Sequence, residues 1–152
     1  MRNFIIFISI LLFNNQVIAD LLKPSPLLKP DQVIAIQLSA LNNNDDPYKN
    51  FGIEQTWEFA HPENRKFTGP LENFIKMMYS ATYVKVINHK KHKINLIQTT
   101  DQIAFFFIEM IDKDGKQLGF NWIVEKVLIK GEFYNCWMTS SVSPPMKYGE
   151  ST

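Results

Sequence analysis

The chain has one cysteine, Cys136, in 152 residues, so no disulfide can form within it and its core has to hold the fold. A lone thiol pairs with another chain or is buried, and the apolar neighbours of Cys136 favour burial, where a free cysteine behaves as a small hydrophobe. Excess charge of either sign is also missing: sixteen Lys and Arg face fifteen Asp and Glu, a net of +1. That balance argues against a nucleic-acid surface, which usually needs a strong basic excess. No glycine-rich phosphate loop of either standard pattern is present, and no cofactor is expected. No apolar run reaches the roughly 20 residues that a membrane-spanning helix needs.

The longest apolar run, residues 4–13, has the features of an export signal. Arg2 gives a positive start, only Ser9 interrupts the run, and the more polar residues 14–19 end in Val17-Ile18-Ala19 before Asp20. This grammar predicts a signal peptide over residues 1–19, cleaved after Ala19, and a periplasmic or secreted product. The alternative is a membrane anchor formed by residues 4–13. Membrane contact is otherwise expected only through this segment before cleavage, and no cysteine follows the site to take a lipid. Residues 20–29 read as an extended leader, 30–143 as the folded domain and 144–152 as a flexible tail.

Aromatic residues are plentiful, at 13% with twelve Phe, which gives a single domain ample core material. Three helices are expected first. Pro30 and Asp31 open one that carries Ile34, Leu38 and Leu41 at helical spacing, and residues 42–46 stop it. Asp46-Pro47 signals a second, with Ile53, Trp57 and Ala60 on one face and Phe51 and Phe59 beside them. Gly52 weakens that helix by about 1 kcal/mol, so packing has to compensate. His61-Pro62 ends it, a polar hinge follows over residues 61–69, and Gly69-Pro70 starts the third helix with Leu71, Phe74 and Met78 buried.

From Thr82 the apolar period changes to two. Strands are expected over residues 83–87, 94–97, 103–111, 118–128 and 133–142, with a charged turn or edge at 90–93 and a hairpin at 112–115. Residues 103–111 are apolar on both faces, which predicts a central strand covered on both sides. Pro144-Pro145 should end regular structure. The fold class is therefore α+β, with three N-terminal helices packed on a curved antiparallel meander whose interior is conical.

Gly52-Ile53, the run Trp57-Glu58-Phe59-Ala60-His61-Pro62-Glu63-Asn64-Arg65, and Thr68-Gly69-Pro70-Leu71-Glu72-Asn73-Phe74 together resemble the domain-of-unknown-function family 4864. Gln37-Leu38-Ser39-Ala40-Leu41-Asn42 resembles its opening helix. The resemblance spans residues 31–143 and implies the nuclear transport factor 2-like (SnoaL-like) superfamily, whose α+β cone suits this element order. It implies no activity, since fold alone does not assign chemistry.

The hinge is the candidate site. Arg65 and Asn64 could hold an anion or polar ligand, or could tether backbone carbonyls where the second helix ends. His61 could titrate near neutral pH. Trp57, Phe59, Thr68, Trp122 and Trp137 complete the candidate hinge and pocket set, as the wall of an apolar cavity or as plain core. An enzyme of the isomerase or dehydratase kind would need an inward carboxylate, Glu109 or Glu125, and a donor such as Tyr83 or Tyr134, and no catalytic residue is assigned. His89 and His92 lie among lysines and read as a solvated turn, so no metal site is expected. Asp112-Lys113-Asp114-Gly115 lacks the later positions of a calcium loop. The expected function is non-enzymatic binding of a small apolar or amphipathic ligand or a protein partner, with homodimerisation as a further option.

Overall fold

A computed structural model describes residues 19–149; the export signal expected over residues 1–19 lies almost wholly outside them. The chain forms α1 (Pro30–Asn42), α2 (Phe51–Glu58), α3 (Pro62–Thr68) and α4 (Leu71–Met78). A 3-10 turn at Val84–Val86 follows, then β1 (Lys91–Thr99), β2 (Ile103–Ile111), β3 (Gln117–Lys126), β4 (Trp137–Val142) and β5 (Met146–Lys147). The sheet is an antiparallel meander in the order β1-β2-β3-β4, curved and unclosed, with β5 added on β3. The α+β class is as expected, with four helices where three were expected.

α1 buries Val33, Ile34, Gln37, Leu38 and Leu41, a stripe at helical spacing. Its backbone meets α2 at Gly52, where a Cβ would collide with the Ala40 carbonyl. This close approach compensates the helix-propensity cost of Gly52, since only glycine lets the two backbones come so near. The second helix begins at Phe51, four residues after Asp46-Pro47. The buried Asn44 holds residues 43–50 in a loop instead: its Oδ1 accepts from Ile53 N–H at 3.0 Å and its carbonyl accepts from Gly52 N–H. Asn50, with φ of 68°, supplies the left-handed turn into the helix.

The hinge is itself a helix. His61 is the N-cap of α3, its Nδ1 accepting from Glu63 N–H at 3.1 Å, and Pro62 occupies the first helical position. The same proline that ends α2 therefore starts α3. The strand expected over residues 83–87 is the 3-10 turn. Tyr83 and Val84 N–H bond back to Ser80, so the segment closes the helical layer before the sheet begins. Of the turn or edge expected for residues 90–93, the edge forms: Lys91–Lys93 belong to β1, the outermost strand of the meander, with Lys91 paired opposite Ile111.

β2 is covered on one face only. Ala104, Phe106, Ile108 and Met110 are buried beneath the helices, whereas Ile103, Phe105, Phe107 and Ile111 are half-buried on the outer face. β3 and β4 are shorter than expected. Residues 127–136 leave the ladder as a loop in which Asn135 adopts φ of 63°, and Val127, Cys136 and Met138 bury against Phe133 as a small second core. Cys136 is buried there, and the apolar surroundings raise its thiol pKa. Regular structure does not end at Pro144-Pro145. The prolines interrupt the β4 edge, after which Met146 and Lys147 pair with Gly119 and Leu118. The tail is further fixed by Tyr148, whose ring packs on Phe107 and whose hydroxyl donates to Glu109.

Candidate ligand pocket

Helices and sheet do not close completely on each other. They leave a pocket of about 190 Å³ between α1, α2, α3, α4 and the inner faces of β3 and β4. Leu41, Phe74, Met78, Val86, Ala60 and Trp122 give it an apolar wall, and each of these is at most 5% exposed. Asn64, Thr68, Met77, Tyr83 and Val142, all half-buried, and the exposed Ser141 form its rim. A wider depression of about 570 Å³ lies beside Lys85, Lys116 and Lys147, and it is lined mostly by exposed residues.

A buried hydrogen-bonded chain builds one side of the pocket. The Trp122 indole N–H donates to Thr139 Oγ1 at 3.0 Å, and that hydroxyl donates to Gln37 Oε1 at 2.6 Å. Gln37 Nε2 then donates to the Thr56 carbonyl at 3.1 Å. Each link joins a different element, so β3, β4, α1 and α2 are fixed together. Buried polar groups of this kind are costly unless paired, and here each has a partner. Sequence reasoning missed Gln37 and Thr139. The signal was present for Gln37, the one polar residue in the stripe 33, 34, 37, 38 and 41.

The expected site residues divide into two groups. Asn64, Thr68 and Trp122 line the pocket; Trp57, Phe59, His61, Arg65 and Trp137 do not. Arg65 tethers the end of α2: Nε donates to the Ala60 carbonyl at 3.0 Å, and Nη2 donates to those of Trp57 at 2.9 Å and Glu58 at 3.0 Å. Its guanidinium also lies 4.9 Å from the Trp57 ring centre and 5.3 Å from that of Phe133. Burial lowers its pKa, partly offset by Glu58 and Glu132. Phe59 is core, and Trp57 stacks on Phe74 at 5.1 Å. Trp137 lies under the Lys126 ammonium at 5.0 Å.

His61 is not poised to titrate near neutral pH. Burial lowers its pKa, and an Nδ1 that accepts a hydrogen bond belongs to a neutral ring. Its backbone N–H and the Asn64 Nδ2 both reach the Thr139 carbonyl, at 2.8 and 3.4 Å, which docks α3 against β4.

The carboxylates considered for an enzyme lie on the other side of the sheet. Glu109 pairs in register with Gly119 and Glu125 with Ile103, positions on the outer face, and Glu109 accepts from Tyr148. Tyr83, the only titratable group lining the pocket among the described residues, donates its hydroxyl to the Val142 carbonyl at 3.1 Å. The histidine pair is no solvated turn. His89 is 1% exposed, its Nδ1 lies 2.7 Å from the Val86 carbonyl and its Nε2 2.7 Å from His92 Nδ1. A carbonyl can only accept, so the neutral His89 ring carries its proton on Nδ1, and its Nε2 accepts a hydrogen bond from His92 Nδ1–H. Among the described residues no group of three His, Cys, Asp or Glu could hold a metal ion. Asp112 caps the β2–β3 turn, Oδ1 accepting from Asp114 and Lys116 N–H at 2.9 Å. Its Oδ2 makes no hydrogen bond, and Lys85 Nζ, 3.5 Å away, supplies the counter-charge. No described helix is long and apolar enough to cross a membrane.

No family model matches this chain. Neither a curated protein nor a solved structure matches it.

Proposed function

We propose that this chain is a non-enzymatic binding domain that holds a small apolar or amphipathic ligand between its helices and its sheet. The observation that carries this reading is the chemistry of the pocket wall. Among the described residues it contains no Asp, Glu, His, Lys or Arg, and Tyr83 is already bonded internally. General acid–base catalysis needs a titratable group within hydrogen-bond reach of the substrate, and both candidate carboxylates face away. Its size also suits a small ligand, since an engineered apolar cavity of about 150 Å³ accepts benzene.

The test is a titration of protein labelled with 13C at its methionine methyls. Toluene should shift Met77 and Met78, which line the pocket, and leave the remote Met146 unmoved. Saturating toluene without a response at Met77 and Met78 would refute the pocket as a binding site.

The helices over a four-stranded meander also support membership of the nuclear transport factor 2-like group, and of family 4864 within it. Export is the proposed route for residues 1–19, supported by their sequence pattern; a mature protein whose mass retains them would count against it. A second reading, homodimerisation through the sheet, is favoured by the half-exposed Ile103, Phe105, Ile111 and Ile123 on the outer face. A monomeric mass by light scattering would remove it.

A further inference from the structure

The polar groups of the pocket are not distributed evenly. Gln37, Thr56 and Thr139 are at most 6% exposed, and each is committed to a protein partner: the Gln37–Thr139–Trp122 chain accounts for two, and Thr56 Oγ1 donates to the Gly52 carbonyl at 2.8 Å. None of them is open to a ligand. The polar surface that a ligand can reach is therefore at the rim, on Asn64, Thr68, Tyr83 and Ser141. Two of these hydroxyls already spend their protons, Thr68 on the Asn64 carbonyl at 3.1 Å and Tyr83 on Val142. They keep only acceptor capacity.

Ser141 is exposed and pairs in register with Ile123, an outer-face position; Asn64 differs from all three. Its side-chain amide makes one long bond, 3.4 Å from Nδ2 to the Thr139 carbonyl, which leaves a second N–H and the Oδ1 acceptor for another group. An amide at the mouth of an uncharged, apolar pocket can meet a hydroxyl or a carbonyl. It cannot neutralise a carboxylate or an ammonium, which would have to shed part of its water at the half-buried rim. A volume of about 190 Å³, scaled from the benzene-sized cavity, holds about eight heavy atoms.

We propose that the ligand is an uncharged alcohol or carbonyl compound of about eight heavy atoms, seated apolar end first, with Asn64 at the rim recognising its polar head. This rests on the pocket being the binding site and adds to that reading the class of ligand and the residue that selects it.

The probes are toluene, benzyl alcohol, benzaldehyde and benzoate, each titrated into the full folded chain and read at the Met77 and Met78 methyls. Benzyl alcohol and benzaldehyde should bind about tenfold more tightly than toluene, the factor that one net hydrogen bond supplies. Benzoate should produce no response. In Asn64→Ala the two polar probes should lose their advantage over toluene. Asn64→Asp keeps the size of the side chain and guards against a variant that does not fold. Its carboxylate can still accept from the benzyl alcohol hydroxyl but offers benzaldehyde no donor, so only the aldehyde should lose its advantage. If none of the neutral probes binds, the pocket reading falls and this inference falls with it. If toluene matches benzyl alcohol in the native protein, or the preference persists in both variants, the pocket stands and the role given to Asn64 is wrong.

Discussion

Replacing Arg65 with alanine is the most direct test of how α2, α3 and the sheet are joined. The last carbonyls of a helix have no full set of partners within it, and one guanidinium answers two at the end of α2 and that of Ala60 just beyond it. Hydrogen bonds from charged donors contribute about 1.5–3 kcal/mol each when fully buried. Arg65 is half-buried, so water can replace part of what is lost, and about 1 kcal/mol per bond is the appropriate scale here. Its stacking between Trp57 and Phe133 adds about 0.5 kcal/mol or somewhat more. Together these predict a loss of roughly 3–4 kcal/mol.

For a chain of 152 residues that corresponds to a fall in the melting midpoint of about 10 °C, measured by circular dichroism. Arg65→Lys discriminates the mechanism from simple charge. Lysine keeps the charge but lacks the planar fork that spans three carbonyls, so it should recover only about a third of the loss. A midpoint for Arg65→Ala within about 2 °C of the native value would refute the tether. So would full recovery in Arg65→Lys, since a point charge would then be sufficient.

Two further measurements examine the buried polar groups. Burial pushes the His89 pKa from 6.5 to about 4. The folded state therefore binds its proton later than the unfolded chain, and stability should fall as pH drops from about 6.5 towards 4. About 2 kcal/mol of urea-unfolding stability should be lost from this group between pH 7 and 4.5. In His89→Asn, whose amide can still donate to Val86, that increment should be absent; an identical pH profile in both proteins would contradict the assignment. Thr139→Val strands the Trp122 N–H and the Gln37 Oε1 together, which predicts a loss of about 2–4 kcal/mol. The double variant with Gln37→Leu should cost clearly less than the sum of the two single changes, and strict additivity in unfolding experiments would argue against one connected network.

The sequence exposed those features that depend on a residue and its near neighbours. Pro30 at the start of α1, the apolar stripe of that helix and the extent of β2 are local patterns, and they form where the pattern places them. The errors share one cause: a local signal that has two outcomes, chosen by a distant partner. His61-Pro62 was legible as a helix end, but whether Pro62 also starts a helix depends on His61 capping it and on Thr139 receiving the His61 N–H from across the fold. Residues 83–87 have the alternation of a strand, yet they bond back to Ser80, and Asn88 N–H reaches the Leu41 carbonyl on α1. The apolar outer face of β2 promised a second covering layer. It receives a single tyrosine, Tyr148, from beyond the prolines.

The candidate set divides between tethers and pocket for a related reason. His61, Asn64 and Arg65 drew attention because polar and charged residues beside aromatics suggest chemistry, and two of the three are spent on the backbone. Yet their structural work is what creates the pocket. Arg65 fixes the end of α2 and His61 starts α3 against β4, so Asn64 and Thr68, one and five residues after Glu63, are carried to the rim. A helix of seven residues is too short to hold that position by its own propensity, and it buries no side chain completely. Its placement therefore depends on the tethers, and any ligand that reads Asn64 also reads their state. Loosening Arg65 should accordingly reduce the preference for benzyl alcohol over toluene before it empties the pocket, because the apolar wall comes from α1, α4 and β3 while the selecting amide comes from α3.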